Sequence, residues 1–491
     1  MGRRTQFPPP VLITTAAALV LLLVAPSHHD RAAAEAADAT PSLDAVDLGA
    51  LDARAVVSQI EELALLSDDP APAVTRILFS KRDVQARNFV KDLMRKAGLA
   101  VREDAIGNIY GRLEGTDPSL PPVLSGSHTD AIPLSGKYDG VVGVLGAIEA
   151  LRVLGASGCR FRHPIEAMMF TSEEPTRFGL SCIGSRALCG GLEAQRLEAL
   201  VDADGGSFLS AIRGAGYAKP SGWGKPAPSV ADVLESTRLP AESVAAFVEL
   251  HIEQAPLLEQ GGVDIGAVTA IAAPAAVSID FVGNGGHAGA LLMPFRKDAG
   301  LCAAELALAV EAAALGTKAP DTVATTGVLE IKPGAVNSVP REAHVGVDVR
   351  DIDGTRRDAV LDKILAAAET IASRRGASVN ATVLNRDPPA GCAAHVVQAV
   401  REAAKSVGLS QMDMVSRAYH DALFMAQVAP TGMIFIPCRK GVSHRPDEFA
   451  SEKDIGNGIK VLALTMAKLA GQECPASEES KESDAAGERE L

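Results

Sequence analysis

Apolar and polar positions follow two different rhythms along this chain. From about Leu51 to Ile265, helical patterns alternate with short apolar runs that stop at polar residues. The runs Pro122-Val-Leu-Ser-Gly-Ser and Ile165-Glu-Ala-Met-Met-Phe-Thr-Ser predict strands. Between them, Gly140 to Leu154 is Ala-rich, apolar and long enough for a buried helix. Strand, loop, helix, strand in this order predicts an α/β domain with a largely parallel sheet. Ligands of such sheets sit beyond the carboxyl ends of the strands.

A second rhythm begins near Ala267. Val277-Ser-Ile-Asp-Phe-Val-Gly alternates as a half-buried strand does, and Asp298 to Leu315 then predicts a helix. Strands are expected at Thr325 to Ile331 and Ala343 to Arg350, a helix at Arg356 to Arg374, and a last strand at Ser378 to Leu384. The order βαββαβ is the split, ferredoxin-like arrangement. It predicts an insert over 267–384 within a domain made of 51–266 and 385–470. Residues 471–491 are acidic and nearly free of large apolar side chains, and read as a solvated tail.

The N-terminus reads as an address. Arg3 and Arg4 precede the apolar run Val11 to Ala25, and Ala32-Ala33-Ala34 follows. A basic region, a short apolar core and small residues predict a cleavable secretory signal over 1–34. The run is shorter than the ~20 residues a bilayer-spanning helix needs. The expected location is the secretory pathway, with the endoplasmic reticulum lumen favoured and no membrane attachment after cleavage. Seven cysteines at 159, 182, 189, 302, 392, 438 and 474 show no finger spacing, which leaves room for one or two bridges at most. Asn380-Ala381-Thr382 is a glycosylation sequon, usable if exposed.

Composition narrows the function. The 491 residues carry a net charge of −14, and aromatics make up 4%. A nucleic-acid partner is therefore not expected, since both the basic footprint and the stacking platforms are missing.

Candidate chemistry gathers where the strands stop. His128 lies in Gly126-Ser-His-Thr-Asp130 after the first strand, Asp139 opens the Gly-rich helix, and Glu173-Glu174 follows the next strand. His251 stands in Glu249-Leu-His-Ile-Glu-Gln254 and His444 in Val442-Ser-His-Arg-Pro446. Each alone is weak: most histidines are not ligands, and a Glu-Glu pair is usually solvated charge. Jointly they point to metal-ligand chemistry, because adjacent carboxylates beside a core strand repel unless a cation compensates. Asp130, two residues from His128, is placed to orient that imidazole.

The segments GSHTDAIPLSGKYDGVVGVLGAIEAL, FTSEEPTRFGLSCIGSR, VELHIEQAPLLE, GGHAGALLMPFRKDAGLCAAELALAVE, PGAVNSVP, DVRDID, YHDALFMA and GMIFIPCRKGVSHRP stand in this order. They resemble the amidohydrolase branch of the M20 metallopeptidase superfamily, which contains allantoate, ureidoglycolate and N-carbamoyl-amino-acid hydrolases. The resemblance runs from about Leu51 to Leu469. It implies a mixed-sheet α/β metallohydrolase domain with an inserted ferredoxin-like lid and dimerisation domain. It also implies two metal ions per subunit, usually manganese (Mn2+).

Carried onto this sequence, the resemblance has Asp139 bridging both ions. His128 and His251 complete one site, Glu174 and His444 the other. A histidine at 251, where the peptidases of the superfamily usually carry a carboxylate, favours the ureido-hydrolysing branch. Glu173 is implied as the general base, taking a proton from the attacking water and later giving it to the departing nitrogen. His287 is implied to stabilise the oxyanion in a neighbouring subunit, hence a homodimer. Asn337 and Arg350 resemble a clamp for the substrate carboxylate. Gln254, Tyr419 and His420 are candidates for the ureido end.

The implied reaction is hydrolysis at the carbamoyl carbon of a small ureido acid. Ureidoglycolate is favoured, ending in glyoxylate, ammonia and carbon dioxide at the close of purine-ring breakdown. Allantoate and N-carbamoyl-L-amino acids are the alternatives within the branch. From another class, a binding protein that kept the fold is disfavoured by an intact Glu173, and an aminoacylase or peptidase by His251.

Overall fold

Strands β1 (Ala100–Glu103), β2 (Ile109–Leu113), β3 (Val123–Ser127), β4 (Ile165–Met169), β5 (Ala246–Ile252) and β6 (Ile265–Ile271) build most of a central mixed sheet. The computed structural model describes residues 46–219, 227–240 and 242–474. The expected signal segment and residues 475–491 of the expected tail lie outside the described residues.

Every residue of β3, β4 and β5 is buried, which is why β3 and β4 read as largely apolar runs; β5 also carries the buried Glu249 and His251. Helices α1 (Ala53–Ala64), α2 (Lys81–Lys96) and α3 (Val141–Ala156) pack with the sheet in one apolar cluster. The apolar character of α3 has a direct cause: 13 of its 16 residues are buried between the sheet and neighbouring helices.

A separate four-stranded antiparallel sheet follows. It is made of β7 (Ala273–Val282), β8 (Val323–Lys332), β9 (Glu342–Asp351) and β10 (Ser378–Arg386), in the spatial order β8-β9-β7-β10. Helices α4 (Ala299–Leu315) and α5 (Gly354–Arg375) cover one of its faces and share its own apolar cluster. The chain order is thus βαββαβ; β8, β9, β10 and α5 run slightly past their sequence patterns, while α4 starts one residue later, with Asp298 as its N-cap. Strict alternation in β9 buries Ala343, Val345, Val347, Val349 and Asp351 toward the helices. His344, Gly346, Asp348 and Arg350 therefore occupy the open face.

The central sheet then resumes with β11 (Gln411–Ser416) and β12 (Thr431–Ile436), flanked by α6 (Ala394–Ser406) and α7 (Glu452–Leu469). Its order is β6-β12-β5-β3-β4-β2-β1, with β11 on the other edge of β6. The four strands β12-β5-β3-β4 run parallel, so their carboxyl ends open at one edge.

Several short strands escape the sequence pattern; one, Gln472–Glu473, pairs with Arg160–Phe161 inside the stretch expected as solvated tail, so the ordered chain runs past residue 471. Ala131–Ser135, between His128 and Asp139, pairs with Val74–Arg76. It folds the intervening chain back, so Asp139 lies at the start of α3 and not at a strand end. A single disulfide joins Cys159 to Cys474, and the other five cysteines are free.

Candidate active site

Beyond the carboxyl ends of the parallel strands lies a cavity of about 310 Å3. His128, Asp139, Glu173, Glu174, His251, Gln254, Arg350, Tyr419 and His444 all line it. Residues up to 316 positions apart in the chain are brought together by the sheet.

Asp139 lies between two groups of donors. Its Oδ1 is 3.1 Å from His251 Nε2 and 3.7 Å from His128 Nε2. Its Oδ2 is 3.0 Å from His444 Nε2, which is in turn 3.3 Å from Glu174 Oε1. In each group, His128-Asp139-His251 and Asp139-Glu174-His444, the candidate ligand atoms lie within 4.8 Å of one another. This close approach requires a glycine at 140. Gly140 has φ +66°, and a Cβ there would lie 2.4 Å from His128 Nε2.

The donors fit a divalent cation. His128 Nδ1 is 3.0 Å from the Asp130 carbonyl oxygen, and His251 Nδ1 is 2.8 Å from the Ile252 carbonyl oxygen. Both contacts place the imidazole proton on Nδ1 and turn the Nε2 lone pair toward Asp139, the tautomer a metal needs. The carboxylates point the same way. Burial, then the charge of Asp139, pushes the Glu174 carboxyl up to about 7. Burial and the neighbouring acids raise Glu173 as well, against the pull of His128. A buried cation relieves this crowding of negative charge. Imidazole and carboxylate donors without thiolate suit manganese or zinc.

Glu173 Oε2 lies 3.8 Å from His128 Nε2, at the edge of the first donor group. Asp130 does more than the sequence suggests. Its side-chain oxygens accept the backbone N–H groups of Glu173 at 3.2 Å and Glu174 at 3.0 Å, while its carbonyl meets His128. One residue therefore fixes both the imidazole and the acidic pair.

The candidate substrate residues divide. Arg350 lines the cavity from the open face of β9, steadied by Asp348 at 2.8 Å and the Arg417 carbonyl at 3.2 Å. Gln254 also lines it and donates to Asp139 Oδ2 at 2.9 Å. Tyr419 forms part of the wall, though its hydroxyl is engaged by Arg186 and Asp387. His420 is not among the lining residues. It is buried behind His251, ring centroids 4.6 Å apart, and burial followed by the charge of His251 holds its pKa well below the usual range. A neutral ring packed on a candidate metal ligand is the place the structure gives it. His287 and Asn337 are exposed on the four-stranded sheet's side of the molecule and do not line this chain's own cavity.

Sequence reasoning missed two supports. Glu448 is buried and accepts the backbone N–H groups of Tyr138 at 2.8 Å and Asp139 at 3.0 Å. Ser443 Oγ lies 3.0 Å from the other Glu448 oxygen and 2.9 Å from Asp139 Oδ2, with one hydroxyl proton to serve the two. Gly136 offered a signal after the fact, since a Cβ there would overlap Glu448 at 2.4 Å. Glu249 lies beneath the site, with both oxygens taken, by Ser127 Oγ at 2.7 Å and Ala422 N at 2.9 Å.

Such a floor, two donor groups sharing one aspartate beside a buried glutamate that belongs to neither, defines a metal-binding hydrolase. Residues 124–468 match the model of peptidase family M20/M25/M40, and the chain belongs to that family. It is 54% identical over 422 residues to a ureidoglycolate hydrolase of Arabidopsis thaliana, covering 85% of this chain and 87% of that protein. Solved structures of AtUAH in complex with (S)-hydroxyglycine and in complex with glyoxylate each align with TM-score 0.77 and 52% identity. Each alignment covers 87% of this chain and 100% of the other.

Proposed function

We propose that this chain is a metal-dependent amidohydrolase that cleaves ureidoglycolate. The observation that carries the reading is the pairing of two donor groups around Asp139 with an arginine in one small cavity. The relatives' names and ligands then select the substrate. His128, His251 and Asp139 would hold one manganese ion, and Asp139, Glu174 and His444 a second. Divalent cations held by these residues would polarise the carbamoyl oxygen and lower the pKa of water. Arg350 orients the substrate carboxylate, with Gln254 and Tyr419 on the wall that meets the rest of the molecule. Glu173 removes a proton from the attacking water and returns it to the departing nitrogen. Water adds to the carbamoyl carbon and ammonia leaves. The resulting carbamate loses carbon dioxide, and the hydroxyglycine so formed loses a second ammonia to give glyoxylate.

The net charge of −14 would not draw in an anion, so the local cations and Arg350 must supply that attraction. The test is ammonia release from ureidoglycolate, allantoate and an N-carbamoyl-L-amino acid offered in parallel. Turnover of ureidoglycolate alone supports the reading, and preferred turnover of allantoate overturns the substrate assignment.

The proposal extends to a homodimer. Edge strand β8 leaves Val328, Leu329 and Ile331 exposed, and α4 leaves Leu301, Leu308 and Leu315 exposed. Such a run of exposed apolar side chains supports this reading. The inserted unit would then serve as lid and dimerisation domain, bringing His287 and Asn337 to the partner's cavity. Sedimentation of the wild type and of Leu308→Glu tests this: a monomeric wild type contradicts it.

The proposed location is the endoplasmic reticulum lumen. The signal-like N-terminus supports it, as does the disulfide between Cys159 and Cys474, which suits an oxidising compartment. Asn380 is exposed on edge strand β10. A glycosidase-sensitive mobility shift that disappears in Asn380→Gln would support entry into that compartment. A cytosolic chain, found by fractionation, would contradict it.

A further inference from the structure

Three side chains from distant parts of the chain meet where the polypeptide passes from the four-stranded sheet back to the central body. Asp387 directly follows β10, and Pro388 and Pro389 stiffen the return. Arg186, on the short helix Ile183–Leu188, donates through Nη1 and Nη2 to the two oxygens of Asp387, each at 2.7 Å. The same guanidinium donates to Tyr419 Oη at 2.6 Å, and the Tyr419 hydroxyl donates to Asp387. Burial works against charge here, yet the Arg186 fork wins and holds the Asp387 carboxyl below its usual range.

This cluster touches the cavity wall on one side and the lid crossings on the other. Arg186 Nε donates to the carbonyl of Ser181, a lining residue, at 2.9 Å. Arg357, in the first turn of α5, reaches the Asp387 carbonyl and lies 3.4 Å from the Ala273 carbonyl, so both crossings are tied together. The loop after β11 completes the circuit. Ser416, the last residue of β11, accepts from Ala272 N through its carbonyl at 2.8 Å; in the loop, the Arg417 carbonyl accepts from Arg350 at 3.2 Å, and Tyr419 follows.

We propose that Asp387 is a positioning residue: held by Arg186 and Tyr419, it sets the angle of the inserted sheet so that Arg350 meets the substrate carboxylate. The inference rests on the reading of Arg350 as the carboxylate clamp. A bidentate fork suits the task, because two parallel hydrogen bonds fix orientation as well as distance. Asp387 is not among the residues lining the cavity, so its effect passes through β10, β7 and β9 to the guanidinium.

The experiment is a double-mutant cycle on the metal-loaded full chain, with KM and kcat for ureidoglycolate measured separately. Asp387→Asn is expected to raise KM about tenfold while kcat changes less than about threefold, since uniform binding is what it loses. In an Arg350→Ala background the same change should have little further effect on KM, because the two act as one unit. Metal content should stay at the wild-type level. Should Asp387→Asn fail to fold, Tyr419→Phe removes both bonds of the tyrosine hydroxyl, leaves the Arg186–Asp387 fork, and is expected to show the same coupling at smaller size. Full additivity in the cycle overturns the proposal, as does an unchanged KM in either variant. If Arg350→Ala alone leaves KM unchanged, the clamp reading fails and this inference with it. If Arg350→Ala raises KM but the effects add, only this inference fails.

Discussion

Asp130 Oδ2 accepts the backbone N–H of Glu174 at 3.0 Å, linking the ends of two neighbouring parallel strands. The other oxygen does the same for Glu173, and the Asp130 carbonyl faces His128 Nδ1. Replacing Asp130 by Ala removes two charge-assisted bonds and leaves two buried N–H groups without acceptors. We predict a loss of about 10–100-fold in metal affinity, the usual effect of removing an outer-shell support. Metal titration of the variant checks this, and an unchanged affinity would show that the strands alone hold the acidic pair.

Glu173→Gln keeps the size of the side chain and removes its basicity. Glu173 stands outside both donor groups, so bound metal should remain near the wild-type level while turnover falls by about 10²–10⁴-fold. Elemental analysis and kcat on one preparation decide between base and ligand. Loss of metal in parallel with loss of rate would assign Glu173 as a ligand.

Arg350→Ala is expected to raise KM by roughly 10- to 100-fold, corresponding to about 1.5–3 kcal/mol for a charged hydrogen-bonding partner. Arg350→Lys should recover only part of this, because an ammonium lacks the planar fork. Steady-state kinetics tests both, and metal content serves as the control.

Gly140→Ala examines the tightest point of the site. Residue 140 has positive φ, and its Cβ would fall 2.4 Å from the His128 ring. The backbone cost is on the order of 1 kcal/mol, so the chain should still fold. The steric conflict falls on the His128-Asp139-His251 group, and metal loss at that group is the expected outcome. A metal-replete, fully active variant would contradict the geometry.

The Cys159–Cys474 bond closes 315 residues of chain, tying strand Arg160–Phe161 to the end of α7. Reduction is expected to destabilise the fold by about 2–4 kcal/mol, through the denatured chain's greater freedom. Denaturant midpoints with and without reductant measure it, and equal midpoints would refute it.

What could be read in the sequence was local. Buried strands β3 and β4 announce themselves as apolar runs, and α3 as a helix without a polar face. His128, Asp139, Glu173 and Glu174 follow because they end or begin those elements. The βαββαβ order was legible for the same reason, since β9 alternates without a break. Supports that depend on tertiary approach were not legible. Glu448 stands in the polar run Arg445-Pro-Asp-Glu, which looks like solvated loop until the fold buries it under Tyr138 and Asp139. Arg186 and Asp387 are 201 positions apart, and nothing periodic connects them. His420 carries the same polar flanks as the candidate ligands, yet packing turns it behind His251, where no spacing rule would place it.

The central claim is that this cavity hydrolyses ureidoglycolate with bound metal. Glyoxylate formation from ureidoglycolate should be measured on one purified preparation as isolated, after chelation, and after manganese is restored. The account predicts turnover that falls to background on chelation and returns with manganese. Glyoxylate formed at an undiminished rate by the chelated, metal-free protein would contradict it.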